Sequence, residues 1–531
     1  MKYTITRQNS VETSADLSAA FLSGTADADS LEIGAGAYLR SSGKDAAGVL
    51  LDNTLPWTVQ VDGEIQSQRY DGMVLLGGTS GLSKINVGSE GEIVGGVNGI
   101  QASGTVAIKN NGTIQAFNGS AVFVSSEDGN KLVNKGLVSG EYSYRSYSPD
   151  SGDRVKNVGE MTGSISLNGG DDRLVNAGKI VGGLATSDLN LGDGDDTLIN
   201  SGTISLEIMD GHGSETIQNR GLIDHNVFLG EDPDLFTNYV ETKSGQVSGT
   251  VTGEIDLGAG DDRLEGGASI ELYRDGSGAD IANLRGGDDI YFGVGLVASD
   301  GEDHINGGKG IDTYDARSAV DPLFINLDRV SHALPQGSSM AEIAAQTAMG
   351  SDIAETVSDR IKSFENVLGG IESDVIFGSA KDNYLSGADG DDRLFGEGGN
   401  DNLVGGYGVD YLTGGAGKDM LTGGGDFDMF VFVTLEDSGV KASTRDVIVD
   451  FEVGKDNISF EGIDANSSTS INDIFEFLGM DTGFSGTAGE LRAEKTANGV
   501  IIEGDVDGDA IGDFSVLVDK TVDFQASDFE L

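Results

Sequence analysis

Cysteine is absent from all 531 residues, so neither a disulfide framework nor a thiolate zinc site can form. Proline is nearly absent too, with 5 residues against 83 glycines. The glycines do not follow the three-residue period of collagen, and such abundance without that period points to a turn-rich, repetitive β architecture with little helix. Positive charge is scarce: 33 Lys and Arg face 88 Asp and Glu, a formal charge of -55. That balance excludes the basic footprint of a nucleic-acid binder and disfavours docking to anionic lipid, leaving cations as natural partners. Long apolar runs are missing, since no stretch approaches the roughly 18 residues of a membrane span. The opening MKYTITRQNSVETSADLSAAFLSG lacks the apolar core of a cleavable signal, so export would need another route. The four histidines, His212, His225, His304 and His332, include none followed by glutamate and no two four residues apart. This excludes the H-E-x-x-H arrangement of a zinc protease.

What is present is repetition. A Gly-x-[Ile/Val/Met] element recurs at Gly63/Ile65, Gly91/Ile93, Gly112/Ile114, Gly136/Val138, Gly159/Met161, Gly178/Ile180, Gly202/Ile204, Gly221/Ile223 and Gly253/Ile255. Asn110, Asn134, Asn157, Asn176, Asn200 and Asn219 stand two residues before their glycines, and the apolar members are mostly 19 to 24 residues apart. That is about one coil of a parallel β-solenoid, with Asn and Gly expected to supply left-handed backbone at the corner and the apolar residue pointing inward. A second element places an acid two residues before an apolar residue, at Asp172/Leu174, Asp196/Leu198, Glu215/Ile217, Asp234/Phe236 and Asp262/Leu264. Residues 25–265 thus read as one right-handed solenoid, after an N-terminal segment 1–24, whose later coils carry acidic turns.

Residues 266–368 hold irregular units with Asp289, Asp303 and Asp312 at the sixth place. An insertion over roughly 320–367 reads as a lid or cap on the side of the roll. Within it, SSMAEIAAQTAMG offers a capping box, Ser339 with Glu342, and a terminating Gly350, which predicts a short helix. From Gly369 to Val431 the nonapeptide G-G-x-G-x-D-x-U-x, with U apolar, runs seven times in unbroken register. Its sixth places are Asp374, Asn383, Asp392, Asp401, Asp410, Asp419 and Asp428, and its fourth places include Gly390, Gly399, Gly408 and Gly417. Six residues with three glycines make a turn with inward-bent carbonyls, and the last three make a short strand whose eighth-place side chain faces the interior. Two units complete a coil, which stacks Asp374, Asp392, Asp410 and Asp428 in one column and Asn383, Asp401 and Asp419 in the other. Bare, such columns repel. A hard divalent cation that takes six to eight oxygens at about 2.3 to 2.6 Å turns each gap into a site, and calcium fits better than the smaller magnesium.

At these residues the sequence resembles the RTX calcium-binding proteins, whose fold is a parallel β-roll; GGYGVDYLT, GGAGKDMLT and GGKGIDTYD match their nonapeptide fully. Glu372, Asn383 and Asp426 depart from it at metal-facing places. RDVIVDFEVGKDNISF, FSGTAGELRAE, EGDVDGDAIGDFSVLV and QASDFEL, across 432–531, resemble the C-terminal domain of serralysin-type metalloproteases, here without a protease motif. The resemblance implies a cap on the open end of the roll and a signal for a type I exporter, hence an extracellular, secreted protein. The expected fold is all-β: a β-solenoid, a calcium-binding β-roll and a β-rich cap.

Two smaller readings complete the sequence. DVDGDAIGD places Asp505, Asp507 and Asp509 as in an oxygen-rich calcium loop, but lacks the closing glutamate, so an acidic β-turn competes with it. Ile471, Ile474, Phe475 and Leu478 are at helical spacing and read as core. No catalytic residue is assigned. The expected function is a non-catalytic surface, matrix or adhesion protein. The alternative is a polysaccharide-modifying enzyme centred on Tyr142, Tyr144, Arg145 and Arg154, in a stretch that reads as a long loop.

Overall fold

The structure, a computed structural model, describes residues 2–13, 20–23, 29–43, 45–53, 55–77, 81–183, 187–293, 301–335, 342–350 and 358–531. Among the described residues there is no α-helix, and a single 3-10 turn lies at Ala526–Asp528. The chain divides into two compact units, 1–276 and 277–531.

The first unit is a stack of coils, each contributing strands to three parallel files. The Gly-x-[Ile/Val/Met] residues form one file: Ile65, Ile93, Ile114, Val138, Met161, Ile180, Ile204 and Ile223 pair in succession and are fully buried. The ninth, Ile255, departs from expectation. It pairs with Val227 in the next file, while Ile223 continues to Val251. The acid-x-apolar element supplies a second interior file, Leu132, Val155, Leu174, Leu198, Ile217, Phe236 and Leu264. The stack also begins earlier than its repeats become legible, because Lys2–Ile5 pairs in parallel with Asp29–Ile33. A surface hairpin, Tyr239–Thr242 with Gly245–Ser248, lengthens one coil to a 28-residue step.

The corner asparagines act differently from expectation. Asn110, Asn134, Asn157, Asn176, Asn200, Asn219 and Asn238 form a buried ladder in which each Nδ2 donates to the next Oδ1 at 2.8–2.9 Å. Asn238 ends the file by donating to Glu271 Oε1 at 2.7 Å. Most of these Oδ1 atoms also accept the N–H of the glycine two residues on, as Asn110 does from Gly112 at 3.2 Å, which fixes the Asn-x-Gly spacing. The glycines themselves are not left-handed. A Cβ on Gly136, Gly178 or Gly202 would overlap the carbonyl of the equivalent glycine one coil earlier, so close stacking of coils demands them.

In the second unit each coil is thinner, with two parallel files. Ile376, Leu394, Leu412, Phe430 and Ile458 line one, and Val367, Leu385, Leu403, Leu421 and Ile448 the other, all fully buried. The described part of the insertion is largely paired into the sheet. Leu323–Asn326 joins the stack, Phe324 pairing in parallel with Val375, and Thr347–Gly350 lies antiparallel to it. The expected helix is absent where described: Ser339 falls outside the described residues, and Glu342–Ile343 and Thr347–Gly350 are strands. Apolar Phe324, Ile343, Val375 and Phe377 pack together there, so tertiary burial overrides the local helical propensity.

At its far end the roll runs into an antiparallel sheet of Glu490–Thr496, Gly499–Asp505 and Phe514–Val518. This sheet joins the stack where Leu517 pairs with Val447, and Phe529 pairs with Ile458 on the other file. Phe430, Phe451, Phe524, Phe529, Phe460 and Phe514 form a chain of ring contacts with centroids 5.0–6.3 Å apart that closes the end of the core. The expected helical core segment is also corrected. Ile471 and Ile474 are exposed, Phe475 is buried, and Leu478 lies in the strand Glu476–Met480.

Candidate metal centre

Each nonapeptide delivers its sixth-place side chain, a carboxylate in all but Asn383, to the inside of a turn. Asp392 N donates to Asp410 Oδ1 at 2.8 Å, Asp401 N to Asp419 Oδ1 at 2.8 Å, and Asp410 N to Asp428 Oδ1 at 3.2 Å. Asp374 N and Asn383 N donate likewise to Asp392 and Asp401 at 2.7 Å. The two expected columns therefore exist, and one oxygen of each carboxylate is held by the backbone of the preceding coil. These charge-assisted bonds offset part of the repulsion that the bare sequence suggests.

The other oxygen is what remains for a ligand. Oδ2 of Asp392, Asp401, Asp410 and Asp419 is buried with no hydrogen-bond partner, and so is Oδ2 of Asp312. A buried, unpaired carboxylate oxygen is costly unless something positive reaches it. Burial first, and neighbouring carboxylates second, hold these groups far above the ordinary range: Asp392 and Asp401 to about 8, Asp419 and Asp428 to about 7, and Asp410 to about 6. For Asp312 the same causes give about 7.

The glycines divide into two kinds. At the fourth place Gly390, Gly399, Gly408 and Gly417 have φ between 123° and 154°, a backbone that L side chains rarely adopt. First-place Gly387, Gly396, Gly405, Gly414 and Gly423 have no such φ; a Cβ there would overlap Oδ2 of the aspartate five residues on. The first glycine is therefore spatial, clearing the pocket into which the free oxygen projects. Second-place Ala388 and Glu397 nonetheless adopt φ of 79° and 70°.

The ends of the columns differ. Asp374 accepts Leu323 N on Oδ1 and Gly370 N on Oδ2, both at 2.8 Å. Asn383 Oδ1 accepts Ser379 N at 2.7 Å and Ser379 Oγ at 3.2 Å, while its Nδ2 donates to Glu365 O. Neither offers a spare buried oxygen. Beside them Lys381, where a fourth-place glycine would stand, pairs with the Glu365 carboxylate. That corner therefore carries a side-chain cation against its buried carboxylate.

The ladder extends past the nonapeptides through residues the sequence reading missed. Asp289 N donates to Asp312 Oδ1 at 2.9 Å, Asp312 N to Glu365 Oε2 at 3.0 Å, and Asp303 N to Asp359 Oδ1 at 3.3 Å. Asp419 N reaches Asp446 Oδ1 at 2.8 Å and Asp428 N reaches Asp456 Oδ1 at 3.1 Å. The signal was available: Asp359/Ile361, Glu365/Val367, Asp446/Ile448 and Asp456/Ile458 all repeat acid-x-apolar.

Asp505, Asp507 and Asp509 do cluster, with both oxygens of Asp505 and one each of Asp507 and Asp509 accepting backbone N–H groups. Asp505 accepts Gly508 N at 2.7 Å and Ala510 N at 2.9 Å, and Asp507 and Asp509 accept the N–H two residues on. That is the bonding of an acidic β-turn. The stretch read as a loop around Tyr142 is the strand Leu137–Ser146. Tyr144 is interior and donates to Asp153 Oδ2 at 2.8 Å, and Arg154 belongs to another file. Only Tyr142 and Arg145 remain together, the guanidinium 4.7 Å from the ring centroid.

Comparison with known families agrees with this geometry. The model of the RTX calcium-binding nonapeptide repeat matches in four copies over residues 254–270, 296–317 and 368–403. The model of the peptidase M10 serralysin C-terminal domain matches residues 394–530. No curated protein matches the chain. Among solved structures, the solution structure of the AlgE6R3 subunit of the Azotobacter vinelandii mannuronan C5-epimerase is similar at 24% identity, over 30% of this chain and 80% of that one, with a TM-score of 0.16. Among the described residues no helix is long and apolar enough to cross a membrane.

Proposed function

We propose that this chain, which carries RTX calcium-binding repeats and a serralysin-type C-terminal domain, is exported in one step by a type I exporter and folds its roll on calcium outside the cell, serving there as a non-catalytic surface, matrix or adhesion protein. The observation that carries this reading is the file of buried, partnerless Oδ2 atoms at Asp392, Asp401, Asp410 and Asp419. Two such oxygens on stacked turns, with turn carbonyls about them, make the oxygen-rich donor set that calcium prefers. Where free calcium is scarce, the carboxylates oppose compaction and the chain stays threadable. Where it is abundant, each site filled at a few times its dissociation constant adds about 1 kcal/mol to folding.

Titrating the calcium-free full chain with calcium, followed by circular dichroism and by secretion from a strain with and without the exporter, tests this. A cooperative gain of β-signal and exporter-dependent release are expected. A signal unchanged by EGTA would defeat the folding claim, and release without the exporter would defeat the export claim.

A second reading has a specific observation behind it. A groove of about 530 Å³ on the first unit is lined by Phe117, Asn118, Glu141, Tyr142 and Ser164. Phe117 is 58% exposed, an apolar face beside polar groups that suits an extracellular polysaccharide. Incubation with neutral and acidic polysaccharides separates the outcomes: retention lost in Phe117→Ala indicates binding, and shortened or unsaturated products would replace the non-catalytic reading.

A further inference from the structure

The first unit repeats the acid ladder outside the matched repeats. Asn130 N donates to Asp153 Oδ1 at 2.5 Å, Asp172 N to Asp196 Oδ1 at 2.7 Å, Asp196 N to Glu215 Oε1 at 3.4 Å and Glu215 N to Asp234 Oδ1 at 2.7 Å. At one coil the pattern changes. In DGHGSETIQ the first place, glycine throughout the roll, is Asp210, and the sixth is Glu215. In the roll that first place is emptied so that one carboxylate oxygen can enter, whereas here a second carboxylate is inserted into the same space.

The result is a three-carboxylate cluster. Oxygens of Asp196, Asp210 and Glu215 lie within 4.8 Å of one another. Asp196 is 2% exposed and Glu215 1%, and Asp196 Oδ2, Glu215 Oε2 and both oxygens of Asp210 are buried without a hydrogen-bond partner. Among the described residues no lysine or arginine pairs with any of the three; the nearby His212 faces Asp193 and Glu231, at 3.4 and 3.9 Å. One oxygen from each residue converges on this space, and the cluster when fully ionised carries a formal charge of -3. Two oxygens bound across one ion at about 2.4 Å are separated by about 4.8 Å, so the cluster can close on calcium without rearranging the coil.

We infer that Asp196, Asp210 and Glu215 form a discrete calcium site in the first unit, different from the roll sites in taking three carboxylates and using the first-place residue as a ligand. Unlike the roll sites it rests on a hydrophobic coil that folds without it, so it stiffens the solenoid rather than nucleating it. In the ion-free protein burial first, and the neighbouring Asp210 second, push the Glu215 carboxyl up to about 11. The competing account is therefore a proton shared between Glu215 and Asp210, with no ion at all.

Hydrogen exchange of the full chain over residues 190–219, with calcium alone added or removed, separates the two. Calcium at about ten times its dissociation constant should slow exchange there about tenfold. Asp210→Asn should abolish that response and lower the calcium bound at saturation by one ion per chain. Asp410→Asn, a change in the roll, should leave the response at 190–219 intact. Exchange in the native chain indifferent to calcium over 190–219 would establish the shared proton and overturn the site. An Asp210→Asn chain that binds as many ions as the native one would overturn it equally.

Discussion

The solenoid and the roll are built on the same backbone device and differ in what lies beneath it. In both, a carboxylate two residues before an interior apolar side chain accepts an N–H from the coil before, as Asp234 does from Glu215 and Asp410 does from Asp392. The 19-residue step from Asp196 to Glu215 buries Leu198, Ile204, Leu206 and Ile208 completely or nearly so. The 18-residue step from Asp392 to Asp410 buries only Leu394 and Leu403 as large interior side chains. The solenoid adds an amide ladder that the roll lacks. With ordering costing about 1 to 2 kcal/mol per residue, half the apolar burial leaves the roll dependent on whatever else joins its coils. On the proposed function, the same acidic column is secondary to burial in one unit and decides folding in the other.

Exhaustive chelation should break the comparison most visibly. In EGTA, hydrogen exchange over 384–431 should rise to the rate of unfolded chain while 93–223 stays protected; equal loss in both units would erase the distinction. Next, Gly405→Ala should weaken calcium binding by the roll about tenfold or more, because the added methyl meets Asp410 Oδ2 and the Gly423 carbonyl of the next coil. Calcium titration by calorimetry measures it, and since φ is not positive there, unchanged affinity would show that the cleared space is dispensable. Asn176→Ala should cost the first unit about 2 kcal/mol in urea unfolding, equally with and without calcium, because it removes three bonds of a buried ladder at once: the acceptor for Asn157 Nδ2, the donor to Asn200 Oδ1 and the acceptor for Gly178 N.

The smallest effect concerns pH. Carboxyls raised to about 6–8 hold their protons more tightly when folded, so without calcium they favour the roll at low pH, and that contribution is lost as pH rises through those values. In EGTA the roll should regain circular dichroism signal between about pH 8 and pH 5.5, and calcium affinity should fall over the same range. The solenoid signal should change little.

Much of this was legible because the period of the chain is the period of the structure. Acid-x-apolar and Asn-x-Gly marked the strand files and their corners, and the nonapeptide marked both carboxylate columns. What stayed hidden involves partners chosen in three dimensions. Asp446 and Asp456 keep the local motif but lie 27 and 28 residues beyond their donors, Asp419 and Asp428, where the nine-residue count has lapsed. The spacing of Ile471 and Ile474 suggested a buried face, yet the cap fills its interior with phenylalanines instead. The helical reading near Ala344 failed because strand pairing with Leu323–Asn326 outweighed propensity. Sequence alone assigns the first-place glycines to turns of positive φ, whereas in the structure they lack that φ and leave room for a carboxylate oxygen.

The file of amides from Asn110 to Asn238 has a direction, every member giving to the coil after it and taking from the coil before, and it terminates on the carboxylate of Glu271. A one-way series of this kind is modular. Any interior turn can be excised or duplicated and its neighbours will still find a complementary group, provided the anionic terminus is kept. The length of this rod is therefore a free variable of the design, adjustable one floor at a time.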